Sequence, residues 1–190
     1  MKHYEDNPML TRSQRRLLSQ GQDIKVLFKI DIQKVIVSND SNDKESSMGI
    51  SVCFERGLKL SISSEHKTKQ IKGQPVIIDF NESLSLVTTL HKDSTGNYID
   101  KFGKLIVRRP ITPANGGTGY VGLGMASLPL HRLVADFQSQ HFNIPLTNND
   151  DAVGRIDVVI TSTFVAEVNH HFYHSYLHNY LMLIPNRIMF

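Results

Sequence analysis

Apolar and polar residues alternate along most of this chain, in bursts of five to fifteen positions. From Asp23 to Val37, Ile24, Val26, Phe28, Ile30 and Ile32 share one face, while Lys25, Leu27, Lys29 and Asp31 take the other. A period of two predicts a long strand with one dry face and one wet face. The run from Gly49 repeats the pattern, with Ile50, Val52 and Phe54 on one side and Ser51, Cys53 and Glu55 on the other. Arg56-Gly57 reads as a turn, because glycine tolerates positive φ. Leu58, Leu60 and Ile62 then resume the alternation, which predicts a hairpin. Pro75 to Glu82, followed by Leu84, Leu86 and Leu90, predicts a buried strand, a kink and a continuation.

Shorter signals complete the set. Lys104 to Arg108 predicts a strand, and Tyr120 to Leu128 another that Pro129 stops. His131 to Phe137 has room for one or two helical turns. Ile144-Pro-Leu reads as a short edge strand. From Arg155 to Phe164, Ile156, Val158 and Ile160 alternate with Asp157, Val159 and Thr161. Turn chemistry separates the runs: a polar stretch over 38–47, a basic one over 65–74, and Gly96-Asn97 within 91–100. Pro110, Pro113 and the Gly116-Gly117 pair mark another loop. About eight strands with little helix predict an all-β fold, an antiparallel eight-stranded β-sandwich. The sandwich is expected over residues 22–166. Residues 1–21, with Arg12, Arg15, Arg16 and Leu17-Leu18, form a solvated arm or a short helix. Residues 167–190 form a C-terminal extension, a short helix or tail. No repeat of solenoid period is present.

Composition narrows the class. The 190 residues are 40% hydrophobic, enough for one domain with a real core. The balance of 21 basic and 18 acidic residues gives only +3, too little to imply nucleic acid. Cys53 is the single cysteine, so no intrachain disulfide forms and a reducing, cytoplasmic setting is expected. No apolar run approaches the ~20 residues of a spanning helix. The N-terminus lacks the apolar core of a secretory signal.

Several motifs, taken in order, resemble a known family. They are a strand ending in Phe-Glu-Arg-Gly at 54–57, a Lys-rich loop, Asp79-Phe80-Asn81-Glu82 and Thr89-Leu90. Lys-Phe-Gly-Lys-Leu-Ile-Val from Lys101 and Val-Gly-Leu-Gly-Met-Ala-Ser-Leu from Val121 continue the series. Ile-Pro-Leu from Ile144 and Gly-Arg-Ile-Asp-Val-Val-Ile from Gly154 close it. Together, over roughly residues 22–166, they resemble the N-terminal C2 domain (NT-C2) of the early oestrogen-induced gene product and EH-domain-binding protein families. The family often carries Trp before the Arg-Gly pair, and Phe54 stands near that place. The resemblance implies a C2 sandwich with variable loops at one end. It also implies a module that places its bearer on membranes or on trafficking and cytoskeletal assemblies. Members usually carry further domains after this unit, so the effector half is expected to be missing or to lie in another polypeptide.

Candidate chemistry is sparse. Ca²⁺ takes about 6–8 oxygen ligands converging from loops. The first loop offers Asp40, Asp43 and Glu45, but the segment from Arg108 to Gly119 offers no carboxylate and two arginines. Half a site facing positive charge predicts calcium independence, with the aspartates as turn residues. Lys67, Lys69 and Lys72, with His66 among them, are expected at the same end as Arg108 and Arg109. These five cations are the candidate lipid-binding set, since anionic headgroups attract each nearby basic residue by about 1 kcal/mol. Gly117-Thr-Gly-Tyr-Val-Gly122 matches the letters of a dinucleotide fingerprint, but no helix is predicted after it. Cys53 is expected to pack as a small hydrophobe. No hydrolase, zincin or Walker signature occurs, so no enzyme and no cofactor are expected.

In the extension, Val168, Phe172, Tyr176, Tyr180 and Ile184 recur every four residues, an apolar stripe if helical. Phe172, Tyr176 and Tyr180 are therefore candidates for partner binding. His170, His174 and His178 share that spacing, but no Cys or carboxylate beyond Glu167 joins them, so no metal is expected. The reading is a non-catalytic, calcium-independent C2-type module for anionic membranes or scaffolding, cytoplasmic and peripheral at membranes. The alternative is a protein–protein interaction module without lipid binding.

Overall fold

A computed structural model describes residues 23–38, 46–71, 73–111, 119–134 and 137–165. The expected arm over 1–21 and the extension over 167–190 lie outside them, as do Asp40, Asp43, Glu45 and Lys72. The described residues form nine strands: β1 (Ile24–Val37), β2 (Ser46–Arg56), β3 (Lys59–Ile62), β4 (His66–Gln70), β5 (Val76–Leu90), β6 (Phe102–Ile111), β7 (Gly119–Pro129), β8 (Gln140–Asn148) and β9 (Asp151–Val165). All neighbours run antiparallel, in the order β3-β2-β6-β7-β8-β9-β1-β5, with β4 also on β2.

Two features turn this list into an eight-stranded sandwich. First, β3 and β4 are halves of one bent edge strand. β3 pairs with Cys53 to Arg56 and β4 with Ser46 to Ile50. At the bend, Ser63 N donates to Val52 O at 2.9 Å, and Ser63 Oγ accepts from Val52 N at 2.9 Å. The ladder is thus carried through the break. Second, β7 and β8 meet at a single bridge, Met125 to Thr147. There the array folds over into two layers, β3/β4-β2-β6-β7 and β8-β9-β1-β5.

The alternation in the sequence becomes the core. Ile24, Val26, Phe28, Ile30 and Ile32 of β1 are buried, and after an irregularity between Ile32 and Lys34 the buried set becomes Val35 and Val37. That extra residue faces the kink of β5, where Asn81 takes φ 51°. Phe54 of β2, Leu105 and Val107 of β6, and Ile156 and Val158 of β9 fill the interior. The segment 131–134 is a turn rather than a helix, with Arg132 N bonded to Pro129 O at 2.9 Å.

Gly154 marks where β9 presses on β1. A Cβ there would stand 2.1 Å from Ile36 O and 2.9 Å from Val37 Cα, both backbone atoms that cannot swing aside. Gly154→Ala is expected to lower stability by about 1–3 kcal/mol, read as a lower midpoint in urea denaturation. An unchanged midpoint would show that the two strands separate without cost.

Candidate functional site

The positive charge of the sheet β4-β2-β6-β7 collects on its outer face. Inward positions of β2 are Ile50, Val52 and Phe54, so Gly49, Ser51 and Cys53 face outward. Directly paired residues share a face. Lys67 pairs with Gly49 and Lys69 with Ser47. Arg108 of β6 pairs with Ser51 and with Gly122 of β7. Lys67, Lys69 and Arg108 therefore share the outer side of one sheet. Among the described residues, none of the three forms an ion pair.

Arg108 is the best-fixed member. Its Nε donates to Ser51 Oγ at 3.2 Å, and its guanidinium carbon lies 3.9 Å from the Tyr120 ring centroid. The stack leaves the charge while restricting the side chain. Neither Ser51 nor Tyr120 was singled out by the sequence pattern. The pairings that join them to Arg108 span 57 and 12 positions of chain, beyond any local motif. One acid lies within this patch: the Glu65 side chain lies over Gly49.

Two expectations about this set change. Lys67 and Lys69 lie on β4 rather than in a loop, because 66–70 adds to the edge of β2. Arg109 parts from Arg108: alternation along β6 turns it to the inner side, where its Nε is buried without a hydrogen-bond partner. Lys72 and the candidate partner residues Phe172, Tyr176 and Tyr180 lie outside the described residues.

Among the described residues, no catalytic triad geometry accompanies the patch. Ser64, His66 and Glu82 come together, but on terms that do not activate the serine. Glu82 accepts from Ser64 Oγ and Ser64 N, and its Oε1 lies 2.5 Å from His66 Nε2. The same imidazole nitrogen is 3.5 Å from Ser64 Oγ. A nucleophile needs a base on one imidazole nitrogen and an orienting acid on the other. Here both partners crowd one nitrogen, and the cluster ties the β3–β4 bend to the kink of β5. His66 also tilts over Phe80, with ring centroids 4.3 Å apart. Cys53 is 3% exposed, and burial pushes its thiol above the ordinary range. Such a thiol is a packing residue. Gly119 to Gly122 lie within β7, so no phosphate-cradling helix opens there. Among the described residues, no three His, Cys, Asp or Glu side chains gather to hold a metal. No helix among them is long and apolar enough to cross a membrane.

Comparison with known proteins follows this geometry. No family model and no curated protein matches the chain. A solved C2 domain-containing protein superposes with TM-score 0.50 at 12% identity, covering 75% of this chain and 92% of that one. The fold is C2-like. A C2 domain of plant extended synaptotagmin 1 is also similar, with TM-score 0.49, 12% identity, 74% of this chain and 96% of that one. At such identity the likeness concerns the fold alone.

Acidity will loosen the C2-like sandwich at particular joints. The hydrogen bond from Ser64, then that of His66, holds the Glu82 carboxyl below its ordinary value despite partial burial. The Thr95 hydroxyl does the same for Asp93, whose Oδ1 also accepts from Thr95 N at 2.8 Å and Asn97 N at 3.0 Å. Both groups bind protons more tightly in the unfolded chain. Their contribution is therefore complete above the ordinary carboxylate values of about 3.9 and 4.3, and it is lost as pH falls through the lowered ones. Denaturation midpoints are expected to be flat from pH 7 to about pH 5 and to fall below about pH 4. Glu82→Gln should reduce that fall; an identical profile in the variant would remove Glu82 from the account.

Proposed function

We propose that this protein is a non-catalytic, calcium-independent C2-type module that docks on anionic membranes, in the manner of an NT-C2 domain. The observation that carries the reading is the shared outer face of Lys67, Lys69 and Arg108, three cations without an ion-pairing acid among the described residues. Headgroup phosphates supply the charge the face lacks, and Arg108, already stacked on Tyr120, presents a planar donor to them. Lys72 joins this set as a candidate from the sequence. The site of action is the cytoplasmic surface of a membrane, reached peripherally.

Co-sedimentation with phosphatidylserine–phosphatidylcholine vesicles tests the reading. Binding is expected at low salt, to weaken at high salt, and to be unchanged by a calcium chelator. Equal binding to pure phosphatidylcholine vesicles would overturn the electrostatic mechanism. Loss of binding with chelator would overturn calcium independence.

A second reading has its own observation. Leu60, Ile62 and Met125 on the same outer face are each exposed, and Cys53 and Ile106 connect Ile62 to Met125 through the strand pairing. An apolar row of this kind suits a protein partner. Binding to a partner that persists without lipid, and that ignores charge reversal at Lys67 and Lys69, would favour this protein–protein module.

A further inference from the structure

At the opposite end of β6 a recess of about 370 Å³ opens between the β2–β3 hairpin and the segment leading into β6. Arg56, Gly57, His91, Ile99, Asp100, Lys101 and Phe102 line it. Its charge is unusual. Arg56 and Lys59 stand directly opposite in the hairpin, a like-charge cross-strand pair that opposes folding. Lys101 brings a third cation. Burial first, then Arg56 and Lys59, hold the Lys101 ammonium below its ordinary value.

The nearby acids are already engaged. Asp100 lies 3.1 Å from His131 Nε2, and Asp23 lies 2.7 Å from His91 Nδ1. Lys59 Nζ donates to Val87 O at 2.5 Å and Lys101 Nζ to Thr89 O, so both lysines are held in place by backbone. Arg56 is different. Its Nε is buried without a hydrogen-bond partner, and among the described residues its guanidinium meets no carboxylate. Beside this fixed positive wall stands an apolar rim. Ile99 and Phe102 are 52% and 53% exposed, and the Phe102 ring rests edge-on against His131 at 5.6 Å. His131 Nδ1 lies 3.0 Å from Lys101 N and 3.3 Å from Lys101 O, and its Nε2 lies against Asp100.

We propose that this cleft binds an acidic peptide segment of a partner protein. An anionic side chain, carboxylate or phosphate, engages Arg56 and Lys101, and an apolar neighbour covers Ile99 and Phe102. Charge complementarity selects the anion, because Arg56, Lys59 and Lys101 gather here while Asp100 and Asp23 already sit against His131 and His91. The apolar rim selects a peptide over a bare ion, since an anion alone would leave Ile99 and Phe102 in water. The cleft lies six residues along β6 from Arg108, roughly 20 Å at strand spacing.

The test is fluorescence anisotropy with three labelled eight-residue peptides, alternating leucine with glutamate, phosphoserine or glutamine. At least one anionic peptide is expected to bind, and the glutamine peptide at least tenfold more weakly. The tighter anionic peptide identifies carboxylate or phosphate as the natural group. Arg56→Gln breaks no bond among the described residues and removes one member of the like-charge pair, so its melting temperature should equal or exceed the parent's while peptide affinity falls about tenfold or more. Lys67→Glu with Lys69→Glu should leave peptide affinity unchanged and reduce vesicle binding, which separates this cleft from the membrane reading. Equal binding of all three peptides, no binding of either anionic peptide, or full affinity in Arg56→Gln would overturn the proposal. So would loss of peptide binding in the Lys67/Lys69 variant, which would place the anion on the outer face. Competition by phosphatidylserine vesicles that also fails in Arg56→Gln would assign the cleft to a membrane instead.

Discussion

Phe54→Ala is expected to cost about 3–5 kcal/mol, the range for emptying a fully enclosed aromatic site. Phe54 is 0% exposed and pairs with Leu105 on β6. Its ring reaches Gly103, where a Cβ would sit 2.7 Å from Phe54 Cε2 and 3.3 Å from Leu130 Cδ1. The two residues are thus fitted to each other, the ring occupying space that only glycine leaves. Gly103→Ala should cost about 1–3 kcal/mol by overpacking. Combining it with Phe54→Leu should cost less than the sum, because a smaller side chain relieves the crowding. Phe54→Trp should destabilise for the same reason. Urea denaturation reads all five variants, the Phe54→Leu single among them. A loss below about 1 kcal/mol for Phe54→Ala, or strict additivity in the pair, would show that this part of the interior is loosely packed.

The second large effect concerns membranes. Neutralising Lys67, Lys69 and Arg108 together, each to Gln, is expected to weaken binding to phosphatidylserine-containing vesicles by about 3 kcal/mol, at about 1 kcal/mol per cation. That is roughly 150-fold in the partition constant. Each single variant should lose about fivefold, and all should converge on the parent at high salt, where the Debye length falls to a few ångströms. Arg108→Gln should also release Tyr120, so its loss should exceed that of either lysine variant. If the triple variant partitions like the parent, the outer face is not the membrane-binding surface. A melting temperature for each variant guards against reading instability as lost affinity.

Most of the sandwich was legible in the sequence because each long strand has one dry side. Ile24 to Ile32 and Ile156 to Ile160 announce their inward faces without help from the rest of the chain. The edge is where this reading fails. His-Lys-Thr-Lys-Gln over 66–70 has no apolar residue, so it reads as a basic loop, yet it pairs with β2. Edge strands near a sandwich end bury too little to need alternation. The β8 strand shows the same thing: Ile144 to Leu146 is apolar enough to notice, but the ladder runs from Gln140 to Asn148. The candidate site was legible in part. The basic residues stood out by type, but which of them share a face depends on parity. One step along β6 sends Arg108 outward and Arg109 inward. The stacking of Arg108 on Tyr120, and the meeting of Arg56 with Lys101, depend on residues brought together only by folding. No spacing in the chain encodes them.

The strand β5 ends one sheet with a neighbour on one side only, and the amines of Lys59 and Lys101 occupy the carbonyls of Val87 and Thr89 there. An incoming strand from another molecule would have to displace two ammonium groups to add itself, so this border is closed to fibre growth.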